Sequence, residues 1–162
     1  LQNTIHRYDA SANTGNASLD TLLTHTCEQC QQNEILWTCM ADGKSLEFMD
    51  PFDLYIMLGN ALDNAIECLS QVPDKEKRFL SINIRRKNSL ILFSIRNYCQ
   101  QMPKIIHGLP VTTKEEKLEH GYGMKSIQEI TQKYNGQLQV RFENNTFILN
   151  ILLPSPESFS SL

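Results

Sequence analysis

Leu58-Gly59-Asn60-Ala61-Leu62-Asp63-Asn64-Ala65-Ile66-Glu67-Cys68-Leu69 sets two amides and two carboxylates into a stretch that otherwise reads as a buried helix. With about 3.6 residues per turn, Asn60, Asp63, Asn64 and Glu67 share one face. Leu54, Leu58, Ala61, Leu62, Ala65 and Leu69 line the other, the face that a core takes. A solvated helix face more often carries Glu, Lys, Gln and Arg. Asn and Asp are poorer helix formers, because their short side chains compete for backbone hydrogen bonds. Amide oxygens beside carboxylates suit a hard cation such as Mg²⁺, so the face invites a reading as a metal–phosphate site. The same spacing leaves open a solvated or partner-facing helix surface.

Upstream of this stretch, Asp50 reads as a helix cap and Pro51 as the first helical residue; the helix is expected to end near Ser70. Further upstream, Ser18 is the expected cap of a helix running to about Asn33, with Leu19, Leu22, Leu23, Thr26, Cys27 and Cys30 inward. Ile35 to Met40 reads as a short strand and Asp42-Gly43 as a turn. Downstream, Phe79 to Arg86 alternates, with Leu80, Ile82 and Ile84 facing one way; Leu90 to Asn97 pairs with it through a tight turn near Asn88. Tyr98 to His120 has no clean period and contains Pro103, Gly108 and Pro110, so it reads as a long functional loop. Gly121 to Tyr134 is expected to be helical, with Met124, Ile127 and Ile130 inward. Gln137 to Phe142 and Thr146 to Leu153 are expected to close the fold as a hairpin. This order predicts an α+β two-layer sandwich, with a mixed, mostly antiparallel sheet and helices on one face.

The 162 residues suffice for one domain with a real core. The formal net charge of -3 argues against non-specific nucleic-acid binding and against a membrane-surface role. No apolar run is long enough to span a bilayer. The first residue is Leu1, so a fragment of a longer protein is expected. Cys27-Glu28-Gln29-Cys30 has the CxxC form, but no second CxxC or His pair follows it at zinc-site spacing, and reduced thiols are expected. No Gly-x-Ser-x-Gly elbow is present, and the four histidines show no triad or metal spacing.

Three further features bear on chemistry. His120-Gly121-Tyr122-Gly123-Met124 opens a helix after the long loop; its glycines let backbone approach an anion, and the helix start supplies free N–H groups. Thr112-Thr113-Lys114 lies within that loop, where Lys114 could reach a phosphate as a point charge or simply be solvated. Asn97 ends an apolar-alternating strand, a place either for a turn residue or for an amide that reads a base.

Together, "LGNALDNAIECL" (58–69) is similar to the N-box, and "HGYGMKSI" (120–127) to the second glycine box, of the Bergerat-type nucleotide-binding fold. That fold is shared by sensor histidine kinases, DNA gyrase, the large heat-shock chaperone and the mismatch-repair ATPases. "TGNASLDTLL" (14–23), "DPFDLYIMLGNALDNAIE" (50–67), "FSIRN" (93–97) and "TTK" (112–114) resemble most closely the catalytic domains of quorum-type, peptide-sensing kinases of Gram-positive bacteria. The resemblance implies ATP and Mg²⁺ as ligands and a lid from about Tyr98 to His120. It implies Asn60 as the Mg²⁺ ligand and Asn64 beside the phosphates, with Asp63 and Glu67 orienting waters or lysines. It further implies Gly121 and Gly123 on the phosphate side, Asn97 where most of the superfamily reads adenine with Asp, and Thr113, Lys114, His120, Tyr122 and Met124 around the nucleotide.

Two departures shape the expectation. Asn97-Tyr98-Cys99-Gln100-Gln101 lacks the glycines of the usual Asp-x-Gly-x-Gly, which points to weaker adenine binding. Ile56 stands where hydrolytic members carry Glu, so a base for water is missing. The resemblance therefore implies transfer of the γ-phosphoryl of ATP to a histidine on a separate dimerisation domain, not hydrolysis. The expected organisation is a linker or upstream helix end at 1–17, an ATP-binding catalytic domain at 18–153 and a flexible tail at 154–162. Its expected partners are its own upstream phosphoacceptor domain and a response regulator. The parent would be a membrane-anchored bacterial homodimer, with this domain cytoplasmic and monomeric alone. A Ser kinase of the anti-sigma type, or a pseudo-kinase module that has lost ATP, are the alternatives.

Overall fold

Asp50 caps the longest helix as its sequence requires: its carboxylate accepts from the backbone N–H of Phe52 at 2.8 Å and of Asp53 at 3.4 Å, with Pro51 at the first helical position. This helix, α2, runs Pro51–Ser70 in a computed structural model that describes residues 13–106, 109–111 and 122–156. The other described helices are α1 (Ala17–Gln32) and α3 (Tyr122–Lys133). Among the described residues, no helix is long and apolar enough to cross a membrane.

The cap of α1 is Asn16, not Ser18; its side-chain oxygen accepts from Leu19 N–H at 3.1 Å, which leaves Ser18 inside the first turn. Thr14 holds this start in place by giving its N–H and hydroxyl to Asp20 at 2.8 and 2.7 Å. Gly15 makes the intervening turn at φ +91°, where an L side chain would be strained. The Thr14 carbonyl then accepts from Gly43 N–H at 3.0 Å, tying the lead-in to the end of the first strand. The inner face of α1 is as expected, with Leu19, Leu22, Leu23, Thr26, Cys27 and Cys30 buried.

Among the described residues there are seven strands, in chain order β1 (Leu36–Ala41), β2 (Phe79–Lys87), β3 (Leu90–Tyr98), β4 (Lys104–Ile106), β5 (Leu109–Val111), β6 (Gln137–Glu143) and β7 (Thr146–Pro154). Five of them form one sheet in the order β1-β2-β3-β7-β6. The β1–β2 pair is parallel because α2 carries the chain across between them; the other pairs are antiparallel. The β2–β3 turn places Asn88 at φ 55° and the β6–β7 turn places Asn144 and Asn145 at φ 50° and 55°, a region that Asn tolerates. The β4–β5 pair lies within the stretch expected to be an irregular loop, and β5 lies beside α3. Three-residue strands are too short to show a period in sequence.

The sheet's helix-facing side is set by period-two alternation. Leu80, Ile82 and Ile84 of β2 align with Asn97, Ile95 and Phe93 of β3, and these with Phe147, Leu149 and Ile151 of β7. These apolar residues form one core with α1, α2 and the inward Met124 and Ile127 of α3. The mixed, mostly antiparallel sheet with helices packed on one face is the architecture that the order of elements predicts.

Candidate functional site

α2 and α3 pack side by side and meet at two ends. At one end Gly123, in the first turn of α3, lies over the amide pair of α2. A Cβ placed on Gly123 would stand 3.4 Å from Asn64 Nδ2, 3.5 Å from Asn64 Oδ1 and 3.6 Å from Asn60 Oδ1. The bare glycine thus leaves a methyl-sized space facing both amides. The first N–H groups of α3 have no partner within the helix, so this end also carries partial positive charge.

Asn60 is half-buried, and its Nδ2 donates to the Ile56 carbonyl one turn earlier at 2.7 Å. That bond fixes the amide's orientation and turns Oδ1, the oxygen a hard cation would take, toward Gly123. Asn64 is half-buried and makes no side-chain hydrogen bond to another described residue. An amide in that setting is costly unless water or a ligand satisfies it. The donor set therefore fits a magnesium–phosphate group: a carbonyl-type oxygen for the metal, an amide and backbone N–H groups for phosphate oxygens.

Asp63 and Glu67 divide from this pair. Asp63 is exposed and within electrostatic reach of His25 on α1. Loss of water around its carboxyl raises its pKa, His25 opposes the rise and Glu67 adds to it. Glu67, half-buried one turn further on, has its Oε1 in the interior. Asn97 ends β3 on the helix-facing side, 2% exposed, with its Nδ2 donating to the Tyr98 carbonyl at 2.9 Å. Met124 sends its side chain into the core, 7% exposed, so only its backbone faces the amide end. Tyr122 begins α3, but its side chain lies outside the described residues, as do Thr113, Lys114, His120 and Gly121 entirely.

At the other end of the α2–α3 pair is a cluster that the sequence did not announce. Asp53, 5% exposed in the first turn of α2, accepts from Lys133 Nζ at 2.7 Å and from the Tyr134 hydroxyl at 2.6 Å. The Tyr134 oxygen in turn accepts from Asp50 N–H at 3.0 Å, and the ring meets Phe48 edge-on at 5.9 Å. The Lys133 and Tyr134 bonds hold the Asp53 carboxyl below its ordinary range. Nothing local in the sequence joins residues eighty apart, although an acid in the first turn of a helix is itself unremarkable.

A family model described as the GHKL domain matches residues 49–154. The chain belongs to the GHKL family. Domains of this family bind ATP. Solved histidine kinases share the GHKL fold seen here. The chain matches Acinetobacter baumannii histidine kinase AdeS at 14% identity and a TM-score of 0.59, over 86% of this chain and 64% of that one. It matches the nucleotide-free catalytic domain of histidine kinase ThkA at 16% and 0.63, over 88% and 93%. It also matches the histidine kinase domain of the blue-light-activated kinase from Erythrobacter litoralis EL346 at 12% and 0.62, over 96% and 69%. Identities this low speak to fold. A search among curated proteins returned no match.

Proposed function

We propose that this GHKL domain is the ATP-binding catalytic domain of a sensor histidine kinase. The observation that carries the proposal is Gly123 set over Asn60 Oδ1 and the Asn64 amide. In this reading Asn60 holds Mg²⁺, which neutralises phosphate charge when bound. Asn64 and the first N–H groups of α3 hold the phosphates, and Asn97 at the end of β3 faces the base. Thr113, Lys114, His120, Gly121 and Tyr122 complete the nucleotide surroundings, while Asp63 and Glu67 order water around the phosphates.

The reaction is transfer of the γ-phosphoryl to a histidine on a separate domain. Positioning and charge neutralisation supply most of the catalysis in such a transfer. Ile56, one turn before Asn60, offers no base to activate water, which favours a protein nucleophile over hydrolysis. The motif resemblance further supports a quorum-type parent: a membrane-anchored homodimer whose cytoplasmic catalytic domain spans 18–153 and which passes phosphate to a response regulator.

Calorimetric titration with Mg-ATP, wild type against Asn60→Ala, tests the site. Binding by the wild type with loss in the variant is the expected result; no heat from the wild type would sink the reading and leave a pseudo-kinase module. Mixing the domain with a separate acceptor-helix hairpin and Mg-ATP tests the reaction. Acid-labile phosphate on the hairpin is expected, and acid-stable phosphoserine would move the assignment to a Ser kinase.

A further inference from the structure

Cys68 and Cys99 come from distant parts of the chain and meet sulfur to sulfur at 3.9 Å. Cys68 follows Glu67 on α2 and is half-buried, so a small solute can approach the sulfur pair from its side. Cys99 is buried immediately after β3, two residues beyond Asn97. Its backbone is pinned: Cys99 N–H donates to the Asn145 carbonyl at 2.9 Å, and Asn145 Nδ2 donates to the Gln100 carbonyl at 3.1 Å. A disulfide needs about 2.0 Å between sulfurs, so the thiols must close by roughly 2 Å to bond.

A bland role is available, because buried cysteines commonly act as small apolar fillers. Two observations go beyond it. The thiols touch each other, so each has a resolving partner in place. The contact also ties their protons together: the hydrogen bond from Cys68 lowers the Cys99 pKa and raises that of Cys68, while the Cys99 thiol lies 2.9 Å from the Gln101 carbonyl. The thiolate is the nucleophilic form.

We propose that Cys68 and Cys99 form a dithiol site that reacts with hydrogen peroxide and closes to a disulfide. The Cys99 thiolate attacks the peroxide O–O bond, takes one oxygen as a sulfenic acid, and releases the other, protonated, as water. The Cys68 thiol then attacks the sulfenic sulfur; the S–S bond forms and the S–OH oxygen leaves as a second water. Two thiols lose two electrons and two protons, and hydrogen peroxide is reduced to two waters. The bond tethers the end of β3 to α2 beside Asn97. On the ATP-binding reading proposed above, that tether restricts the nucleotide site, and reduction releases it.

The test treats the reduced chain with hydrogen peroxide, blocks remaining thiols by alkylation and maps peptides by mass. A Cys68–Cys99 linked peptide is expected in the wild type, reversed by dithiothreitol; Cys68→Ser and Cys99→Ser should lack it, with Cys99 of the former trapped as sulfenic or sulfinic acid. Linkage of other cysteines, or oxidation of Cys99 at the same rate and to the same product with and without Cys68, would overturn the proposal. Mg-ATP titration of the same samples is expected to show a several-fold loss of affinity on oxidation of the wild type and none for Cys68→Ser. Equal affinities would overturn the tether's effect. If the reduced wild type binds no Mg-ATP, the nucleotide reading fails, while the mass map still decides the dithiol.

Discussion

The α2–α3 pair is finished differently at its two ends. At the Asp53 end the polar groups meet one another: carboxylate with ammonium and phenol, phenol with backbone N–H. At the Asn60 end, among the described residues, Asn60 bonds only through its nitrogen and Asn64 makes no side-chain bond, with a glycine held over both. Both amides are half-exposed, so water can reach them and a ligand oxygen could take that water's place. The bonded end fixes how α3 docks; on the function proposed above, the Asn60 end is the one left open for a ligand. Stability and binding should therefore separate by end.

The largest effect expected is on binding. Asn60→Ala should cost Mg-ATP affinity about a hundredfold, or ~2.8 kcal/mol, because it removes the oriented oxygen. Thermal unfolding without nucleotide should barely change, since the bond to the Ile56 carbonyl is local. A variant that loses stability as much as affinity would erase the contrast between the ends.

Asp53→Ala should do the reverse. It removes the acceptor shared by Lys133 and Tyr134, and hydrogen bonds to a charged group are each worth about 1.5–3 kcal/mol. Because Lys133 is 61% exposed and can return to water, the expected loss of unfolding free energy is nearer ~2 kcal/mol. Denaturant titration measures it. Nucleotide affinity, corrected for the unfolded fraction, should fall far less than in Asn60→Ala.

Gly123→Ala sharpens the comparison with opposite signs in one variant. Alanine exceeds glycine in helix propensity by up to ~1 kcal/mol, and less near a helix start. The added methyl would meet Asn64 at ordinary contact distance, so the fold should keep or gain a little stability. The same methyl fills the space over the amides, so Mg-ATP affinity should drop measurably. Unchanged affinity would show that the space between Gly123 and the amides is not where a ligand sits.

These ends were unequally legible in sequence. Period-two alternation marked the first hairpin, the Glu143-Asn144-Asn145 turn the second, and Asp50-Pro51 the start of α2, because such signals are local. Strand order was not readable: β7 lies between β3 and β6, and β1 runs parallel to β2, through contacts that no window contains. Helical spacing put Asn60, Asp63, Asn64 and Glu67 on one face, but it could not show that this face is divided. Asp63 lies within electrostatic reach of His25, while Asn60 and Asn64 meet Gly123. The Asp53–Lys133–Tyr134 cluster was invisible for the same reason as the Cys68–Cys99 contact. Each needs two elements to dock before its partners are neighbours.

The smallest effect is the pH dependence of the bonded end, and its sign follows from the shifts. Asp53 has its pKa lowered from 3.8 by Lys133 and Tyr134, so the folded state binds fewer protons there than the unfolded state. Its contribution is fully present above 3.8 and is lost as pH falls through the depressed folded value. Lys133 is raised from 10.5 by Asp53, so its share is present below 10.5 and is lost as pH rises through the raised value. The cluster is thus complete across the neutral range and opens at both extremes. Other carboxylates titrate in acid as well, so the informative quantity is the difference in Tm between wild type and Asp53→Asn. Asparagine can still accept from Tyr134 but carries no charge for Lys133. That difference should be flat from about pH 5 to 9 and shrink toward zero as the wild-type carboxyl protonates. A difference that stays constant down to strong acid would mean that the Asp53 charge contributes nothing, and that the end is held by shape and the tyrosine alone.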